Sequence, residues 1–239
     1  MVNDVAGRGS AWWVVVRELA AACWWRLLVV NVVFLVAVNV LNALVGSAGA
    51  APEAAAVLLF AAGSVLSAWR WSAQLRVLGG ESDPLAAFRT DRSPVLRLAL
   101  LSSAVNLPGL LWVLSVLFPG GYESLARPLL PVLDPVALYL AAVAAMLPMT
   151  VLLEGHDLRR SWQLLHGSWA SALRIGLVVL GQAALTRTVP GAILVLLLDP
   201  ACAVLLFASY RLSLREGEGG GRSKGEGGGG GGAVAGKSG

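Results

Sequence analysis

Long apolar runs alternate with short polar clusters along this chain, and the length of the runs is the first clue to its fold. Residues 27–45 hold about 19 apolar-rich positions, close to the ~20 that a helix needs to cross a ~30 Å hydrocarbon core. A second run opens at Pro52-Glu53 and reaches Ala68, with Trp69-Arg70-Trp71 marking its exit. Residues 70–92 are polar and turn at Gly79-Gly80, and Asp83-Pro84 opens a short interfacial helix. Ser93-Pro94 opens a third run to Phe118, and Asp134-Pro135 a fourth that ends near Leu153. A fifth runs from Ser171 to Ala184 or Thr186, and a sixth over residues 188–210. The repeated X-Pro pairs share one logic: a capping side chain, then proline where its missing N–H costs nothing. Pro108 and Pro148 fall inside runs and predict kinks.

Ahead of the first run, residues 10–26 read as an amphipathic lead-in whose Trp12, Trp13, Trp24 and Trp25 suit the headgroup layer. The first run followed by Ser47-Ala48-Gly49-Ala50 mimics a signal peptide. The long lead-in with Glu18 and its tryptophans predicts a retained span instead. The fold class expected is all-α: a polytopic membrane protein of about six spans with cytoplasmic interfacial helices. Its parts would be an interfacial segment over 1–26, a membrane domain over 27–215 and a disordered glycine-rich tail over 216–239.

Composition agrees. Hydrophobic residues make up 57% and charged residues 13%, about half the charge of a soluble domain, and mean hydropathy is +0.74. Cys23 and Cys202 lie far apart in apolar sequence and read as small buried hydrophobes. The net charge of +4 points to anionic lipid at the cytoplasmic face rather than nucleic acid. Of the 18 Lys and Arg, all but Arg127 and Arg187 fall on the side that holds the N-terminus, residues 70–97, residues 154–174 and the tail. The positive-inside rule then places both termini in the cytoplasm of a cell membrane. Eight of the nine Trp, all but Trp112, sit at that same side.

The densest polar stretch in mid-chain is 148–169, PMTVLLEGHDLRRSWQLLHGSW. Asp157 is placed to cap a helix whose Leu158, Trp162, Leu165 and Trp169 share one face. Arg159, Arg160, Gln163 and His166 lie off it, as expected of a helix in the membrane interface. Such a helix is either a docking or lipid-contact surface or an ordinary connector between spans.

Pro148, Glu154-Gly155, Arg160-Ser161-Trp162, Leu164 and Gly167 resemble a pattern in bacterial multi-span proteins named for the membrane domain of some glycerophosphoryl diester phosphodiesterases. Asp199-Pro200 and LLFASYRLSLREG over 205–217 are similar to that family's closing segment, although Arg211 stands where the family usually has an acid after the tyrosine. The resemblance covers the last third of the chain well and the rest by hydropathy alone. It implies a membrane domain and not the phosphodiesterase, whose catalytic barrel is a separate soluble domain.

Three groups of residues invite chemistry. Asp199 lies inside the last apolar run, where an acid is costly; it either caps a restarted half-helix or pairs with Arg187 or Arg174. Asn31, Asn39 and Asn42 fall within about 80° on the first span, as interhelical glue or as the lining of a polar path. Glu154, His156 and Asp157 adjoin Arg159 and Arg160, which reads most simply as an ion-pair lock. No metal-ligand spacing, nucleophile motif or phosphate loop is found, so no catalytic residue and no cofactor is expected. The reading that follows is a non-catalytic membrane component or accessory subunit that meets lipid, a membrane-protein partner or a second copy of itself. The alternatives are a small transporter or lipid-handling permease using Asp199 and the asparagines, and an intramembrane lipid enzyme using Glu154 and His156.

Overall fold

The computed structural model describes residues 12–49, 51–107, 130–186 and 191–222. Every regular element among them is helical. In order they are α1 (Trp12–Ser47), α2 (Pro52–Leu78), a single 3-10 turn (Ala86–Phe88), α3 (Arg92–Val105), α4 (Leu130–Ala145), α5 (Leu147–Leu152), α6 (Leu158–His166) and α7 (Trp169–Thr186). A helical turn at Gly191–Ile193 then leads through a π-helical turn, Leu194–Leu198, into α8 (Asp199–Arg222). Four of these stretches are long and apolar enough to cross a membrane: Trp12–Ser47, Ala54–Leu78, Pro135–Leu152 and Leu196–Leu214. The pair α6 and α7, bent by 110°, makes a fifth if it is counted as one span. The chain is an all-α polytopic membrane protein. The expected third span is described only as far as Leu107, so most of it, with Pro108, lies outside the described residues.

Several boundaries differ from expectation for identifiable reasons. The lead-in and first span form one helix, because Val15, Val16, Leu19 and Cys23 bury one face of the lead-in against the bundle. Helix α2 does not exit at Trp69-Arg70-Trp71 but runs on to Leu78, since Ala73, Gln74, Leu75 and Val77 are buried too. It stops where Gly79 and the positive φ of Gly80 turn the chain. Asp83 does form a local cap, its Oδ1 accepting the Leu85 N–H at 2.9 Å, but only one 3-10 turn follows. Helix α3 starts at Arg92, one residue ahead of Ser93-Pro94. Asp134-Pro135 lies inside α4 rather than at its start. Pro148 acts as foreseen: it sits in the first turn of α5, just past the break at Met146. At the other end α8 carries five residues past Gly217 into the glycine-rich segment, and 223–239 lie outside the described residues.

The core gathers at one end of the bundle, which also holds most of the arginines and is called here the basic end. Residues of α1 before Val32, the second half of α2, the 3-10 turn, and α4, α5, α6, α7 and α8 share the main cluster. A smaller cluster joins Ala68 of α2 to Val95, Leu98 and Ala99 of α3 and Leu147 and Val151 of α5. Helices α1 and α2 are antiparallel: the Cys23 thiol donates to the Val77 carbonyl, and Asn31 meets Gln74. Beyond Asn31, Val32, Val36, Val40 and Leu44 form an exposed apolar stripe, one residue per turn, as a lipid-facing surface should. Leu27 is fully enclosed by contrast. Leu27→Ala is therefore expected to cost about 2–5 kcal/mol, and Leu44→Ala less than about 0.5 kcal/mol. Thermal unfolding of the detergent-purified variants compares them, and equal losses would contradict this assignment of core and lipid face.

Candidate functional site

Two polar layers stand out, one inside the spans and one at the basic end. The inner layer is built by α1, α2 and α8. Arg70, on the inward face of α2, forms an ion pair with the carboxylate of Asp199 at the start of α8. The two side chains keep only 11% and 17% of their exposure. The guanidinium also lies 4.4 Å from the centre of the Phe34 ring, a cation–π contact. One turn further along α2, the Gln74 amide donates to Asn31 Oδ1 at 3.3 Å, and Asn31 donates to the Leu27 carbonyl at 2.8 Å. At 1.5 Å per residue, Phe34 lies about 12 Å along α1 beyond Arg26. Arg70 and Asp199 both lie within stretches long and apolar enough to cross a membrane, and inside a bilayer one unpaired charge costs about 2.5–3.5 kcal/mol on insertion scales.

The structure gives Asp199 a partner that was not expected, Arg70. Arg187 lies outside the described residues, and the Arg174 Nε donates to the Ala170 carbonyl. Arg70 is distant in sequence, and in the hydropathy pattern it marks a span's exit. Asp199 stands in the first turn of α8, but the helix does not restart from a gap. It continues through the π-turn, whose wider winding absorbs the N–H that Pro200 lacks. The asparagines divide. Asn31 is buried in the layer, whereas Asn39 and Asn42 are exposed, and Asn39 donates to its own helix at Leu35. They do not line one path.

The outer layer centres on Glu154. Its Oε2 accepts from Arg160 Nε at 2.9 Å, and its Oε1 accepts from the Tyr210 hydroxyl at 2.8 Å. One carboxylate therefore ties the end of α5 to α6 and to the middle of α8. Gly155 follows with φ +69°, and its carbonyl accepts from Arg97 of α3 at 2.9 Å. Asp157 caps α6 as foreseen, its Oδ1 accepting the Arg159 N–H at 3.1 Å. The His156 side chain is exposed, while its backbone N–H closes the turn on the Thr150 carbonyl at 2.9 Å. Arg159 is exposed as well.

Only part of the expected face of α6 turns inward: Leu165 is buried and Leu158 packs on the core, but the two tryptophans do not. Ser161, Leu164 and Leu165 are buried, and the Ser161 hydroxyl donates to the Val143 carbonyl of α4. Trp162 is 47% exposed and Trp169 is 83% exposed. The sharp corner between α6 and α7 takes Trp169 off the shared stripe and starts a new helix with it. Trp162 covers α4 from outside: its indole N–H donates to the Tyr139 hydroxyl at 2.9 Å, and His166 stacks on its ring at 4.4 Å. A serine among large apolar groups gave no sign in the sequence of being the inward residue. Ser171 is a second such case, donating to the Leu164 carbonyl at 2.9 Å and meeting Ser213 of α8.

Among the described residues no group of His, Cys, Asp or Glu is placed to hold a metal ion. No family model, curated protein or solved structure matches the chain. The arrangement can neutralise an acid at depth and lock a corner at the surface. Arg70→Met is expected to lower stability by about 3 kcal/mol by leaving Asp199 unpaired, and Asp199→Leu in the same background to recover most of it. A double-mutant cycle followed by circular dichroism on heating reads the coupling, and strictly additive losses would refute it. Tyr210→Phe removes one bond to a charged acceptor and should cost about 1.5–3 kcal/mol, a loss that vanishes in the Glu154→Gln background. The same unfolding assay measures it.

Proposed function

We propose that this chain is a non-catalytic component of a bacterial cytoplasmic membrane, an accessory subunit whose basic end faces the cytoplasm with both termini. The observation that carries this reading is the corner of α6 and α7, which holds Trp162, Trp169 and Arg159 outward while Glu154, Arg160 and Tyr210 fix it from behind. Aromatic rings beside arginine suit anionic headgroups or the aromatic-rich core of a protein interface. All three acids singled out as candidates for chemistry are engaged in structural bonds, Asp199 with Arg70, Glu154 with Arg160 and Tyr210, and Asp157 with the Arg159 N–H. Kinship to the membrane domain of the glycerophosphoryl diester phosphodiesterase family belongs to the same proposal. The two segments that carry the resemblance meet at the Glu154–Tyr210 hydrogen bond, which supports reading them as one unit.

A second reading, a small transporter or lipid-handling permease, draws support from the inner layer. Arg70 Nε and Gln74 Oε1 are buried there without hydrogen-bond partners among the described residues, on successive turns of one helix. Recovery of partners from native membranes in mild detergent separates the two. Under the accessory-subunit reading, a stoichiometric protein partner co-purifies. The double variant Arg159→Gln, Trp169→Ala loses it by about tenfold or more with an unchanged unfolding temperature. Loss of a measured flux in a folded Asp199→Asn variant, with no partner recovered, would replace that reading by the permease.

A further inference from the structure

The cleft at the basic end belongs to neither polar layer. It encloses about 450 Å³ between the last turn of α2, the loop to α3 and the end of α5, within the size range of small-molecule sites. One wall is apolar, made by Leu75, Leu152 and Leu153. The other carries Arg76, Glu81, Arg89, Thr90 and Asp91. These polar groups are not equally occupied. Arg76 is held by the Arg89 carbonyl and by Glu81, whose other oxygen accepts the Ser82 N–H. The Arg89 guanidinium has no hydrogen-bond or ion-pair partner among the described residues. The Thr90 hydroxyl oxygen is buried without one. Asp91 occupies the N-cap of α3 and makes no side-chain cap bond, and Pro94 in the first turn brings no N–H.

We infer that this cleft binds the phosphate of a membrane phospholipid headgroup, with the glycerol and first acyl carbons resting on Leu152 and Leu153. The Arg89 guanidinium and the Thr90 hydroxyl in one wall are the donors that would hold a phosphate oxyanion. Leu152 and Leu153 in the same lining suit an amphiphile better than a free ion. The cleft also lies where the spans end, at the level a headgroup occupies. Of the two carboxylates in it, Glu81 is paired with Arg76 and Asp91 has no cation among the described residues. It favours a headgroup that carries an ammonium beside the phosphate. This inference goes beyond the proposed function and stands or falls separately from it, since a pull-down partner neither requires nor excludes a bound lipid.

The test is native mass spectrometry of the full chain released from detergent with equal amounts of phosphatidylethanolamine, phosphatidylglycerol and diacylglycerol. The expected result is retention of both phospholipids well above diacylglycerol, with phosphatidylethanolamine ahead. Arg89→Gln should cut the bound fraction about tenfold, the scale of one lost charge-assisted hydrogen bond, and Thr90→Val by less. Arg17→Gln, an exposed arginine on α1, should leave it unchanged. Equal retention by Arg89→Gln and the parent chain would overturn the site, as would diacylglycerol binding as well as the phospholipids. Displacement of lipid by sn-glycerol 3-phosphate at the lipid's own concentration would reassign the cleft to a soluble phosphate ester. Should Arg89→Gln fail to fold, Thr90→Val carries the comparison, and an unchanged bound fraction in it then overturns the proposal.

Discussion

A carboxylate within a membrane-crossing stretch needs a cation, and the pairing of Asp199 with Arg70 is the constraint around which this bundle is arranged. Neither residue is tolerable there alone, since each unpaired charge would cost several kcal/mol on burial. Meeting the requirement fixes α8 against the inner face of α2. It also draws α1 into the same layer, because Phe34 lies against the guanidinium and Asn31 meets Gln74 one turn away. The main core then closes below this layer with apolar side chains, mostly leucine, valine and alanine, from seven helices. A polar contact here sets which helices are neighbours, and apolar packing fills the space between them. In lipid this order is expected, because apolar burial alone does little to choose one helix pair over another.

The second layer works on the same principle at lower cost, nearer water. Glu154 is not merely paired but shared, with one oxygen for α6 and one for α8. The sharing holds a short helix of nine residues, too short to be stable alone, at a fixed angle to the spans. The result is a rigid corner that leaves tryptophan outside instead of inside. Rigid, exposed aromatic groups are what a partner or a headgroup layer can use, and this is why the corner, not the buried acid, carries the functional proposal.

What the sequence determined by itself was the class of molecule. Run length and the scarcity of charge identified an all-helical, membrane-crossing chain, because a helix that must satisfy its backbone in lipid leaves its signature in consecutive residues. The break at Pro148, the cap at Asp157 and the pairing of Glu154 with Arg160 were legible for the same reason: each is decided within a few residues of chain. Tertiary structure alone decided the rest. Arg70 looked like a membrane exit until α8 supplied its counter-charge from far along the sequence. Asn39 and Asn42 shared a stripe with Asn31 until packing buried only the last. Ser161, not Trp162, turned inward because α4 offered a backbone carbonyl at that point and little room for an indole. Periodicity tells which residues share a face; which face meets a neighbour depends on groups the local pattern does not contain.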